Sequence, residues 1–201
     1  MQDLQLIMHG IAVKKYATVD EICSITGLQS DTVRELVGHA VARGRASEAN
    51  GKYLLTPTGQ ITLKSAYSKT YGSLRRDEEF VATYQDFERI NNDLKQAITE
   101  WQTIGIGGQT VANDHSDEAY DSAVIDRIGD IHERVEIILG RLGNQEPRLN
   151  RYSKKLLSAL EKAEDGDIRW VSDATIESYH TVWFELHEDL LRIMGREREE
   201  F

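Results

Sequence analysis

Four residues in the second half of the chain have the types and spacing for metal or anion chemistry. From Glu177 to Glu188 the chain reads E-S-Y-H-T-V-W-F-E-L-H-E. On a helix this spacing places Glu177, His180, Phe184 and His187 on adjoining turns of one face. Glu-x-x-His is the spacing with which helical bundles hold carboxylate-bridged metals, and His132, in an earlier apolar stripe, can point to the same interior. A two-metal centre needs two such motifs and one is present. Two expectations follow: histidines hydrogen-bonded near a core, or a site for a metal or a small anionic effector. The run Gly105-Ile106-Gly107-Gly108 lacks the Gly-Lys-Ser/Thr ending of a phosphate loop, and no strand precedes it. Cys23, beside Ile22, reads as a small core residue, with redox sensing the alternative. No nucleophile motif or nucleotide fingerprint is present, so no enzymatic activity is expected.

The elements that position other side chains are clearest between residues 18 and 62. Thr18 and Glu21 form a T-x-x-E capping box, Ile22, Cys23 and Ile25 make the helix amphipathic, and Gly27 stops it. Ser30 or Asp31 is expected to cap the next helix, with Val33, Leu36, Val37, Ala40 and Val41 on one buried face and Gly44 beyond its end. Two short strands then flank Asn50-Gly51, the dipeptide suited to a type I′ hairpin turn. Thr56-Pro57 restarts a helix with Thr as cap and Pro at the first helical position.

Helix, turn, helix and hairpin in this order resemble a winged helix-turn-helix, and G-L-x-x-x-T-V-x-x-L-V from Gly27 to Val37 is similar to the turn and recognition helix of MarR-type regulators. Arg43-Gly44 and the L-T-P-T-G run from Leu55 to Gly59 resemble the ends of that unit. The resemblance covers about the first third of the chain and implies a DNA-binding transcriptional regulator. It implies that Gln29, Ser30, Thr32 and Arg34 face DNA, with Lys52 on the wing near phosphates. His39, Arg43 and Arg45 complete the expected DNA-binding set. The departures are Glu35, which would repel phosphate, Gly38 in mid-helix, and Arg45 at a usually apolar position. They support an alternative, a winged helix that serves as a protein-contact module in an accessory subunit. The segment SYHTVWFELHEDLL is also similar to helices of proteins that accompany phosphoenolpyruvate-utilising enzymes, the expected partner in that alternative. A third expectation is a metal- or ligand-binding helical bundle.

Charge is divided unevenly. The formal net charge is −10. Residues 1–76 carry ten Lys or Arg against six Asp or Glu, and the remaining 125 carry fourteen against twenty-eight. A mildly basic head on an acidic body leaves one end as the plausible docking face for nucleic acid. The chain has 201 residues, 40% of them hydrophobic, enough for one or two domains with real cores. Two prolines and one cysteine point to helices and a reducing, cytoplasmic compartment, and no apolar run reaches membrane-spanning length.

The expected architecture is therefore mainly α with a small β-hairpin wing. A winged helix-turn-helix domain at 1–75, ending in a connecting helix from Gln60 to Leu74, is followed by an acidic helical bundle at 76–201. In the latter, Phe80, Tyr84, Phe87, Leu94, Ile98 and Trp101 recur at heptad-like spacing, with Asn91 as the one polar seam position. Residues 103–119 show no periodicity and read as a long loop. Three more helices carry Val124 to Leu142, Leu149 to Leu160, and Ile176 to Leu190, broken at Gly143-Asn144 and at Asp165-Gly166-Asp167. The expected assembly is a homodimer on double-stranded DNA, joined through the 80–101 seam or the surface around Trp183 and Leu190. The same stripe could instead pack within its own chain.

Overall fold

The computed structural model describes residues 1–197, apart from the side chain of Ile106. The chain is mainly helical, with two small two-stranded antiparallel sheets. It divides into two compact units: Met1–Asp77 together with the residues from His187 onward, and Glu78–Leu186. Among the described residues no helix is long and apolar enough to cross a membrane.

The first unit begins with helix α1 (Asp3–Lys14), which the sequence reading passed over. Ile7 through Val13 are all buried, and a helix apolar all round belongs inside. Helix α2 (Val19–Thr26) starts with both halves of its capping box made: Thr18 Oγ1 accepts from Glu21 N–H at 3.2 Å and Glu21 Oε2 accepts from Thr18 N–H at 2.7 Å. Gly27 ends it in the left-handed region at φ 76°. Helix α3 (Ser30–Ala42) takes Gln29 as its N-cap residue, not Ser30 or Asp31, and no side chain bonds there. The Ser30 hydroxyl lies 3.7 Å from Cys23 Sγ instead. Val33, Val37 and Ala40 are buried, whereas Val41 is 38% exposed, because 100° per residue turns it about 80° from Val33. Strands β1 (Ala46–Ala49) and β2 (Lys52–Leu55) pair across Asn50 and Gly51, both at positive φ as a type I′ turn requires. Ala17 adds a bridge to Tyr53, with N–H···O distances of 2.9 and 2.7 Å. Helix α4 (Pro57–Thr70) is capped by Thr56, whose Oγ1 accepts from Gly59 N–H at 3.1 Å.

The residues from His187, expected with the second domain, complete the first unit through polar contacts. Helix α9 (Tyr179–Met194) brings Asp189 Oδ1 to 3.2 Å from His9 Nε2, both side chains fully buried. His9 Nδ1 lies 2.8 Å from the Tyr67 hydroxyl. The Arg75 guanidinium caps the end of α9, donating to Ile193 O at 2.6 Å and Arg192 O at 3.1 Å. Arg192 in turn donates to Ala12 O at 2.9 Å, near the end of α1.

The second unit is built from helices α5 (Glu78–Gln102), α6 (Glu118–Gln145), α7 (Asn150–Glu164), the short α8 (Arg169–Ser172) and the start of α9. Phe80, Tyr84, Phe87, Leu94, Ile98 and Trp101 are each at most 5% exposed in the single chain, and Trp183 and Leu190 are likewise buried. The seam offered for dimerisation is core. Asn91 has a partner within the unit: its Oδ1 accepts from Trp183 Nε1–H at 3.0 Å, and Trp183 stacks on Phe87 at 5.2 Å.

Three expectations for this unit are corrected. Residues 103–119 are not one irregular loop: Thr103–Ile106 (β3) and Gln109–Ala112 (β4) form a hairpin turned by Gly107 and Gly108, at φ 60° and 82°. Gly143-Asn144 does not break α6, which runs to Gln145. A Cβ at Gly143 would lie 1.9 Å from Asn150 Oδ1, so the glycine admits that side chain. The last helix does not include Ile176 or Glu177. Ser178 starts it, with Thr181 N–H donating to Ser178 Oγ at 3.3 Å and Val182 N–H to Ser178 O at 2.9 Å.

Two glycines of the first unit should respond oppositely to alanine. A Cβ at Gly59 would meet the Arg45 carbonyl oxygen at 1.9 Å, while one at the exposed Gly38 would meet nothing within 4 Å. Gly38→Ala should raise stability by about 1 kcal/mol, and Gly59→Ala should lower it by about 1–3 kcal/mol or prevent folding; urea titration measures both. Asp189→Ala removes the carboxylate from a sealed imidazole and should cost about 1–3 kcal/mol by the same measurement. An Asp189→Ala protein as stable as the parent would show that the pair does not hold the unit together.

Candidate nucleic-acid interface

Helix α3 and the β1–β2 hairpin present the residues expected to face DNA. With Val33, Val37 and Ala40 committed to the core, the opposite face of α3 carries Asp31, Arg34, Glu35, Gly38 and His39, all exposed. Gln29 is exposed at the N-terminus of the helix and Arg43 at its C-terminus; Ser30 and Thr32 are half-buried on the first turn. Arg34 Nη1 lies 3.2 Å from Asp31 Oδ1, with both side chains largely in solvent. A pair so exposed is held by less than about 1 kcal/mol, so the guanidinium is available to a competing anion. Arg45 is half-buried, its carbonyl accepting from Thr56 N–H at 3.0 Å. Lys52 opens β2 with its ammonium 5.3 Å from the centre of the Tyr16 ring, a cation–π contact that restrains the side chain.

Charge on the first unit is weaker than the sequence division suggests. Residues 1–77 and 187–201 together hold thirteen Lys or Arg and twelve Asp or Glu. Asp189 and Glu188 are buried, however, and Glu188 lies 2.6 Å from Arg192, so these carboxylates are turned inward and away from any polyanion. Glu35 remains in solvent on the same face as Arg34.

The second candidate set, His132, Glu177, His180 and His187, is dispersed. Glu177 sits in the turn before α9, and its Oε1 lies 2.8 Å from Lys155 Nζ, so the Glu-x-x-His spacing does not fall on one helix. His180 is half-exposed, and His187 is buried and belongs to the first unit. Among the described residues no group of three or more His, Cys, Asp or Glu is arranged to hold a metal. His132 is 4% exposed, with Nδ1 3.3 Å from the Tyr179 hydroxyl. Burial holds its pKa below the usual 6.5, outweighing the opposing pull of Glu136, Glu164, Glu133 and Glu161. Burial also pushes the Tyr179 hydroxyl far above its ordinary value, so both groups are neutral.

Sequence reading missed two polar clusters. One is His9 with Tyr67 and Asp189, signalled by a histidine inside the apolar run IMHGIAV. The other lies after β4, where His115 Nδ1 stands 2.9 Å from Asp121 Oδ2 and its ring centre lies 4.5 Å from that of Trp101, the planes tilted by 36°. In the structure Asp117 caps α6 beside this cluster, its side chain accepting from Tyr120 N–H at 3.0 Å.

Set against protein-family models, curated proteins and solved structures, the chain matches none.

The shift at His132 has a testable sign. The unfolded chain protonates this histidine near pH 6.5, while the folded chain resists until lower pH, so stability is lost as pH falls through that window. The unfolding midpoint should therefore drop between pH 7 and pH 5, and His132→Gln should flatten that slope. An unchanged slope in the variant would mean that other groups govern the acid limb.

Proposed function

We propose that this chain is a DNA-binding transcriptional regulator. Its first unit would serve as the winged helix-turn-helix and its second as a helical bundle for assembly or effector sensing. The observation that carries the reading is the disposition of α3. It buries one face, exposes Arg34 and His39 on the other with Arg43 at its C-cap, and is followed at once by a type I′ hairpin bearing Lys52. That disposition supports the reading, because a recognition helix with a free polar face can lie in a major groove. Few phosphates can be neutralised by such a set, so affinity is modest and salt-sensitive. Two copies over a pseudo-palindromic site would double the contact. The interface of that dimer would be a surface other than the 80–101 stripe, which one chain buries alone.

A second reading is favoured by Glu35, Gly38 and the exposed Val41 on the same helix. An acid, a gap and an apolar side chain suit a protein surface better than phosphates, as in an accessory subunit of a larger enzyme.

Selection of bound fragments from genomic DNA, followed by titration at several salt concentrations, separates the two. The DNA reading expects enriched fragments. It also expects Arg34→Ala with Lys52→Ala to weaken binding by about 1–3 kcal/mol and to lower the salt slope by about 1–2. Glu35→Arg should strengthen non-specific binding and steepen its salt dependence. Absence of any enriched fragment, together with a Glu35→Arg variant that gains nothing, would transfer the first unit to protein contact.

A further inference from the structure

The hairpin β3–β4 is the least explained part of the second unit. Among the described residues its strands pair only with each other, and Gly105 and Gly107 to Ala112 are exposed. In a chain with 29% charged residues, the run from Thr103 to Asn113 has none. Edge strands are ordinarily blunted by charge, proline or a covering element, because an open row of N–H and C=O groups recruits further strands.

The open row can be assigned. Asn113 N–H donates to Gln102 O at 2.9 Å, so this pair is a hydrogen-bonded one. By alternation along the register, Ile104–Val111 and Ile106–Gln109 are also bonded inward, while Thr103, Gly105, Thr110 and Ala112 direct their N–H and C=O outward. On the β3 side the Thr103 carbonyl accepts from the Tyr120 hydroxyl at 3.3 Å. On the β4 side nothing among the described residues pairs with Thr110 or Ala112.

The ribbon is also held firmly at its root. Asn113 Nδ2 donates to Trp101 O at 3.1 Å and to Asp121 Oδ1 at 2.8 Å, and Asp121 in turn holds His115 against the Trp101 ring. A root of this kind fixes the direction of two strands of which no described side chain adds a large apolar group to the core. The surroundings state what could approach. Asp114, Asp117 and Glu118 stand exposed just after β4, and residues 78–186 carry twenty-two Asp or Glu against eleven Lys or Arg. A second copy of this unit would bring like charge to like.

We propose that the free edge of β4 is a docking site for an extended segment of a partner protein, which adds as a third strand and carries Lys or Arg at its flanks. Main-chain hydrogen bonds to Thr110 and Ala112 supply the pairing, and the acidic residues beyond β4 select the basic flank. This site is independent of the DNA-facing helix α3 and deepens neither reading of it.

The test is a display selection on the full-length protein. The library has six-residue cores of Val, Ile, Thr and Tyr, flanked by two Lys on each side or by two Glu. Lys-flanked strands are expected to be enriched over Glu-flanked ones. For an enriched peptide, Thr110→Pro should weaken binding about tenfold by deleting one outward N–H while sparing the ladder of the hairpin itself. Ala112→Pro serves as the second variant if Thr110→Pro is misfolded by circular dichroism. Asp114→Lys with Glu118→Lys should reduce affinity and flatten its salt dependence. Equal recovery of both libraries overturns the proposal, as does full affinity in a folded proline variant. A homodimer that Thr110→Pro dissolves in sedimentation would give the edge to a second copy and overturn it as well.

Discussion

Asp189 and His9, a carboxylate and an imidazole buried together, determine what the first unit is made of. The two residues lie 180 positions apart, yet neither side chain touches solvent. An isolated carboxylate in an apolar interior is too costly to persist, so α1 and the end of α9 can be buried only where each finds the other. Tyr67 on α4 closes the far side of the imidazole. Arg75 and Arg192 then satisfy carbonyls at the ends of α9 and α1, where a helix leaves them without intrahelical partners. Because α1 packs against α2 and α3, the presentation of α3 depends on a segment from the end of the chain.

The second unit follows the same rule on a smaller scale. Asn91 looks out of place in an apolar stripe until Trp183 arrives with an indole N–H that must be answered. His132 and Tyr179 form a weaker pair, both neutral because burial disfavours either charged form. Lys155 answers Glu177 at 2.8 Å and the buried Glu185 at 3.6 Å. Polar residues on apolar stripes act here as address labels between helices of one chain. That role competes with the metal site and the dimer seam that the same residues suggested.

The surface of α3 is where the functional alternatives meet. Arg34, His39 and Arg43 suit a polyanion, while Glu35, Gly38 and Val41 do not; five of the six lie on one helix of thirteen residues and Arg43 caps its C-terminus. Net charge does not arbitrate, because the residues from His187 bring the first unit close to neutrality. What matters is which charges reach the outside, and Asp189 and Glu188 do not.

Legibility in the sequence followed the range of the interaction. The Thr18–Glu21 box, the Gly27 stop, the Asn50-Gly51 turn and the Thr56-Pro57 start are satisfied within four residues, so composition and spacing alone determined them. The Gly107-Gly108 turn had the same local signal, but the alternation of Ile104 and Ile106 spans only four residues and the facing strand, Gln109–Ala112, has none. Apolar periodicity extends back to Ile176, but Ser178 sets the cap, so α9 starts later than its apolar stripe. The Arg34 and Lys52 surface could be read in outline, since a helix with one apolar face must expose the other. The partners of His9, Asn91 and the 80–101 stripe could not. A buried polar group demands a complementary one, but its chemistry does not say how far along the chain that group lies. Only the tertiary fold decided that Asp189, Trp183 and a single chain's own helices would supply them.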